Sequence, residues 1–267
     1  MSPIELNNRP MASVAEIASL CGAERRDYMA LWKVFSDDTA DGRKEQFVGA
    51  GIVVGRMPHW RAFHRAWNRE CRNAPRIKYF HGKELGGLTK QFAQFRNKNL
   101  YPDEQSGWGA ARAKKDSLRE VILNSDLSTL GYGVRVPIYK EFREKHPRAK
   151  RFMGTDAFEF LIQICFTETV KLLQSVDRHA KVAFVGDLDE GKAARYLKVY
   201  QSWTKANPTV SERSVGISFL PDERWPGLQS ADMVATVVKK LFEETKDVAG
   251  KRLTYAELAG KVGETAF

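Results

Sequence analysis

The chain has 267 residues, 43% of them hydrophobic, enough to bury a sizeable core as one large domain. Lys and Arg number 43 against 33 Asp and Glu, and the net charge of +10 favours a polyanionic partner without naming one. No apolar run is long enough to span a membrane, and the polar N-terminus lacks the apolar centre of a signal peptide. The three cysteines, Cys21, Cys71 and Cys165, are too scattered for a disulfide framework or a zinc cluster. These features predict a cytoplasmic protein with core thiols.

Taken in order, residues 12–24 have a helical pattern. Residues 30–36 and 46–55, rich in β-branched and aromatic side chains, predict two strands joined by the acidic, Gly-containing turn 37–44. Residues 58–74 predict a helix with two unlike sides. Trp60, Phe63, Trp67 and Cys71 fall on one, while Arg61, Arg65, Arg69 and Arg72 lie within about 80° of arc on the other. An arginine stripe suits an ordinary solvated face, and equally bidentate contacts along a nucleic-acid backbone.

A short strand at 77–80 and a loop-rich stretch at 86–109 follow. The aromatics of that stretch, Phe92, Phe95, Tyr101 and Trp108, are read as pinning it to the core rather than stacking bases. A helix around 110–124 leads to a strand at 127–136. The basic cluster Lys140, Arg143, Lys145, Arg148, Lys150 and Arg151 straddles Pro147 and reads as a loop. A helix at 156–176, a strand at 181–185, a helix at 191–207, a strand at 214–220 and a helix at 228–245 complete the order. Strands followed by helices imply a layered α/β sheet. We expect a single domain over 1–267, with inserted segments at about 57–75 and 86–125.

The acids are placed by this order at strand ends and helix starts. Asp37 and Asp38 end the first strand, Glu84 follows the short strand, Asp187 ends the strand 181–185, and Asp232 opens the last helix at the edge of the apolar face Leu228, Ala231, Ala235, Val238 and Phe242. Each has an ordinary alternative as a turn residue or a first-turn helix acid. Together they suggest a carboxylate cluster, whose mutual repulsion magnesium or manganese would relieve.

At these residues the chain resembles the RNase H-like group catalogued as domain of unknown function 3800. The motifs are Asp37-Asp38-Thr39-Ala40, His81-Gly82-Lys83-Glu84, Phe184-Val185-Gly186-Asp187 and Leu228-Gln229-Ser230-Ala231-Asp232, in that order, within roughly residues 28–245. The last is the most specific; the first departs from the family's Asp-Glu-Ser-Gly. The resemblance implies a mixed sheet of about five strands with helices on both faces. It also implies that Asp37, Glu84, Asp187 and Asp232 bind two divalent ions, Mg2+ or Mn2+.

Around those ligands Asp38, His81 and Gln229 are expected as supporting residues, Gln229 orienting a ligand carboxylate and His81 either carrying a proton or serving as a hydrogen-bonded structural residue. The ordered acids and the basic excess together lead us to expect a metal-dependent nuclease acting on RNA or DNA, with the stripe Arg61, Arg65, Arg69 and Arg72 gripping the backbone. The alternative is an inactive RNase H-like scaffold that binds nucleic acid or a protein partner.

Overall fold

The computed structural model describes residues 31–148, 150 and 153–244. The helix expected at 12–24, Cys21 and Arg151 lie outside the described residues. The elements are β1 (Leu31–Ala40), β2 (Phe47–Arg56), α1 (Met57–Arg72), α2 (Gly82–Gly87), a 3-10 turn (Lys90–Arg96), α3 (Glu104–Leu123), β3 (Ser128–Arg135) and α4 (Val136–Lys145). Then come α5 (Ala157–Val176), β4 (Lys181–Asp187), α6 (Glu190–Ala206), α7 (Pro208–Ser211), β5 (Ser214–Leu220), a 3-10 turn (Asp222–Arg224) and α8 (Pro226–Glu244). No helix among the described residues is long and apolar enough to cross a membrane.

The five strands form one mixed sheet in the order β3-β2-β1-β4-β5. β1 lies at its centre, antiparallel to β2 and parallel to β4; β2 and β3 are antiparallel, and β4 and β5 parallel. Successive side chains alternate between faces. Val34 and Phe184 therefore enter a core under α5 and α6, while Phe35 and Val185 enter a second core with α1, α3 and α8. The chain has the expected α/β architecture of five strands covered on both faces, consistent with an RNase H-like fold.

Side chains explain several helix starts. Asp156 and Asp189 accept main-chain N–H bonds at the first turns of α5 and α6, and Asp103 with Ser106 forms a capping box at α3. α1 buries Trp60, Phe63, Trp67 and Cys71, as its periodicity predicts. Phe92 and Phe95 are buried, with Tyr101 and Trp108 packed on the same core, so these rings do pin the 90–108 segment. Cys71 and Cys165 are buried free thiols.

Four local expectations are corrected. First, β1 continues to Ala40, so Asp37 and Asp38 sit within a paired strand, opposite Gly51 and Ala50, rather than in the turn. The turn is organised by Asp41, whose carboxylate accepts N–H bonds from Arg43, Glu45, Gln46 and Phe47. Desolvation raises its pKa, but these four bonds together prevail and hold it at about 2.

Second, residues 77–80 form no strand. Their donors are taken elsewhere: Ile77 N–H donates to the Cys71 carbonyl, Lys78 and Tyr79 N–H to Gln91 Oε1, and Phe80 N–H to Gln229 Oε1. Satisfied in this way, the backbone needs no neighbouring strand.

Third, the 86–109 stretch is largely helical, with the 3-10 turn at Lys90–Arg96 and α3 starting at Glu104. Fourth, Lys140, Arg143 and Lys145 belong to α4, not a loop; a proline in its first turn and the burial of Val136 and Tyr139 set that helix. Arg148 and Lys150 follow it in a turn.

Candidate active site

The site is assembled by the seating of α8 on the sheet. A side chain on Gly51 would put its Cβ 2.2 Å from the main-chain nitrogen of Ala235 and 2.4 Å from the carbonyl oxygen of Ala231, so the helix axis comes down on bare backbone. Farther along α8, Val238 occupies the space over Gly49 and Gly131, and the Phe242 ring that over Gly133. Gly51 is the cross-strand partner of Asp37. The close seat therefore brings Asp232, near the start of α8, toward Asp37 at the centre of the sheet.

Asp37 has its pKa raised well above the usual carboxylate range. Burial is the main cause, followed by the negative charges of Asp232 and Asp38; Lys192 and the Asp38 main-chain N–H pull the other way. That N–H donates to Asp37 Oδ1 at 2.8 Å. Asp232 is also raised, chiefly by burial, against the favourable Gly82 N–H, His81 and Lys192. The Gly82 N–H donates to Asp232 Oδ2 at 2.6 Å. A Cβ on Gly82 would lie 3.2 Å from Asp232 Oδ1, so the glycine permits this approach.

Asp187 ends β4, beside β1, where parallel strands present their C-terminal edge. Burial raises its pKa, partly offset by Lys192 and by the main-chain N–H groups of Leu188 and Asp222. Asp222 lies just beyond β5, and burial followed by the charges of Asp187 and Glu223 pushes its carboxyl up to about 6. His81 Nε2 is 3.8 Å from Asp222 Oδ2, while among the described residues its buried Nδ1 meets no hydrogen-bond partner.

Lys192, in the first turn of α6, pairs with Asp38 Oδ1 at 3.1 Å. Its charge acts on Asp37, Asp187 and Asp232 as well. Asp222 and Lys192 were not among the residues expected from sequence. Asp222 lies just past the end of β5, as Asp187 lies at the end of β4, a signal that was available. Lys192 has no local mark; only the fold sets it among acids.

Glu84 is brought to the neighbourhood but is engaged elsewhere. It is buried, and its carboxylate is met by Lys90 Nζ at 2.8 Å and the Tyr79 hydroxyl at 3.0 Å. Burial raises its pKa, but the hydrogen bonds from Lys90 and Tyr79 outweigh it and the net shift is downward. His81 is its electrostatic link to the other acids, acting on Glu84, Asp222 and Asp232.

Gln229 is buried and makes four hydrogen bonds. Its Oε1 accepts from Trp67 Nε1 and Phe80 N–H, and its Nε2 donates to the carbonyls of Asp222 and Glu223. It thus fixes the backbone leading to His81 and that carrying Asp222, rather than a candidate ligand carboxylate directly.

Arg61, Arg65, Arg69 and Arg72 are all exposed on α1, opposite its buried side. Among the described residues none of the four has a carboxylate partner, and Arg72 Nε donates to the Asn68 carbonyl.

Among the described residues, no three carboxylate, imidazole or thiolate groups already stand at metal-holding distance. The donor chemistry nonetheless fits a hard divalent cation. Asp37 is a half-buried carboxylate whose ionisation Asp232 and Asp38 oppose, and a bound cation reverses that penalty. No family model matches the chain, and no curated protein is significantly similar to it.

Proposed function

We propose that the chain is a divalent-metal-dependent nuclease. The observation that carries this reading is the convergence of Asp37 from the central strand and Asp232 from α8, with Asp187 at the edge of the adjacent parallel strand. The resemblance of the four motifs to the RNase H-like group and the basic balance of the chain support it. Asp37, Asp232 and Asp187 would hold Mg2+ or Mn2+; Glu84 would join them on leaving Lys90. When bound, two such ions activate a water and stabilise the leaving oxygen of a phosphodiester.

The chain's own groups have separate tasks. Lys192 pairs with Asp38 and favours the ionised form of Asp37 against the burial that opposes it. His81, beside Asp222, is suited to carry a proton for a departing oxygen. The arginines of α1 hold phosphates by bidentate contacts.

The test is cleavage of labelled RNA, DNA and hybrid duplex with Mg2+ or Mn2+, by wild type and by Asp37→Asn and Asp187→Asn variants. Cleavage lost in both variants is the expected result. Absence of cleavage on every substrate, or full activity of Asp187→Asn, overturns the reading.

One observation favours a second reading, a non-catalytic nucleic-acid-binding scaffold: the Glu84 carboxylate is already satisfied by Lys90 and Tyr79. Such a scaffold binds nucleic acid in a salt-sensitive way and gains no thermal stability from divalent ions.

A further inference from the structure

Beyond the end of α1 the chain runs from Asn73 to Phe80 without regular structure. Between this segment, the last turn of α1 and the 3-10 turn Lys90–Arg96 lies a cleft of about 790 Å³. Its floor is apolar, made in part by Cys71 and Ile77, both buried. Its rim carries Arg72, Arg76, Lys78 and Lys90, all exposed. Lys90 pairs with Glu84, whereas among the described residues Arg72, Arg76 and Lys78 have no carboxylate partner. Three positive charges thus face an open concavity unbalanced.

The cleft is also held in shape. Gln91 Oε1 accepts the N–H groups of Lys78 and Tyr79, and Gln94 Nε2 donates to the Arg76 carbonyl at 2.6 Å. The backbone carrying Arg76 and Lys78 is therefore fastened to the opposite wall, so little order remains to be imposed when an anion binds.

Its position relative to the carboxylates is fixed by the same segment. Lys90 touches Glu84, and Lys78 precedes Gly82, the donor to Asp232, by four residues. Four residues span at most about 14 Å. At about 3.4 Å per nucleotide along a duplex strand, that distance covers roughly four nucleotides.

We propose that this cleft is a phosphate-binding subsite that holds the backbone of a nucleic-acid strand within about four nucleotides of the bond presented to Asp37 and Asp232. The inference rests on the nucleic-acid reading above and adds a surface that the arginine stripe alone does not define. Arg72 is common to both, so the stripe leads along α1 into the cleft.

The test is fluorescence anisotropy of a labelled single-stranded oligonucleotide over a salt series, in chelator so that nothing is cleaved. Wild type is compared with the double variant Arg76→Ala/Lys78→Ala. The control, Lys140→Ala/Arg148→Ala, removes the same charge from α4 and the turn after it. The hydrogen bonds that Arg76 and Lys78 make run through their main chains, so truncation leaves the fold intact, which a matching melting temperature checks.

The expected result is at least a tenfold loss of affinity in the cleft variant alone. The slope of log affinity against log salt should shrink by about 1.4, that is about 0.7 for each single-strand phosphate contact. Equal losses in the cleft and control variants overturn the subsite while leaving nucleic-acid binding standing. Absence of binding by wild type overturns the nucleic-acid reading and the subsite with it. A labelled nucleoside monophosphate that binds wild type as tightly as the oligonucleotide overturns the strand assignment in favour of a free nucleotide.

Discussion

Gly51 faces Asp37 across the β1–β2 ladder, and the position of its absent side chain is filled by the backbone of α8. Backbone atoms cannot swing aside as a side-chain tip can. Gly51→Ala must therefore lift α8 from the sheet or bend β2, and overpacking of this kind costs about 1–3 kcal/mol, with the contact to backbone placing it at the upper end. We expect that loss in urea denaturation, accompanied by weaker divalent-ion binding because Asp232 moves away from Asp37. Gly42→Ala is the contrast: among the described residues nothing lies within 4 Å of its added Cβ, and stability should change little. Equal stability of the two variants contradicts the close seat.

Gln229→Leu should be costly for a different reason. It leaves Trp67 Nε1 and the Phe80 N–H without their acceptor, and both groups are buried. Each unsatisfied buried donor costs about 1–3 kcal/mol, so a loss of roughly 3 kcal/mol is expected in denaturant titration. If Gln229 acted only on a ligand carboxylate, the variant would retain its stability and lose only ion binding.

These two positions also mark what could be read from the chain. Periodicity exposed the buried side of α1 and the start of α8, because a helix writes its burial into its own spacing. The acids at strand ends were legible for the same local reason. The path of residues 77–80 was not, since the side-chain partners of their N–H groups, Gln91 and Gln229, are distant in sequence, and Gln229 was expected beside a ligand carboxylate rather than on this backbone. Glu84 was legible as an acid after the expected strand, but its engagement by Lys90 and Tyr79 depends on that same unread path. Lys192 became visible only when β1 and the start of α6 met.

The acid cluster sets a pH dependence. Asp222 has its pKa raised to about 6 by burial and then by Asp187 and Glu223, so its ionisation disfavours the folded state. A carboxyl shifted in this direction contributes stability that is fully present below its unfolded pKa of about 3.9 and is lost as pH rises through about 6. Asp41 runs the opposite way, its contribution falling only as pH drops toward about 2. Between about pH 4 and pH 7 in chelator, the melting temperature of Asp222→Asn should therefore rise relative to wild type as pH increases. A difference that stays flat across this window rules out Asp222 as a group kept partly protonated by its surroundings.

Lys192 allows the charge balance itself to be tested. Its ammonium pairs with Asp38 and lowers the proton affinity of Asp37, Asp187 and Asp232. Lys192→Ala leaves those acids facing one another without that cation, so in chelator at neutral pH the variant should melt below wild type. A divalent ion then has more repulsion to relieve. A ligand that binds only the folded state stabilises it by about 2.7 kcal/mol at a hundredfold excess over its Kd, and any tightening of Kd adds to that figure. The rise in melting temperature on adding Mg2+ should thus be larger in Lys192→Ala than in wild type, and absent in Asp37→Asn. If Lys192 instead serves only to fasten α6 to β1, the variant melts lower in chelator but gains no more from Mg2+ than wild type does. The size of the metal-induced shift, rather than the starting stability, separates the two roles.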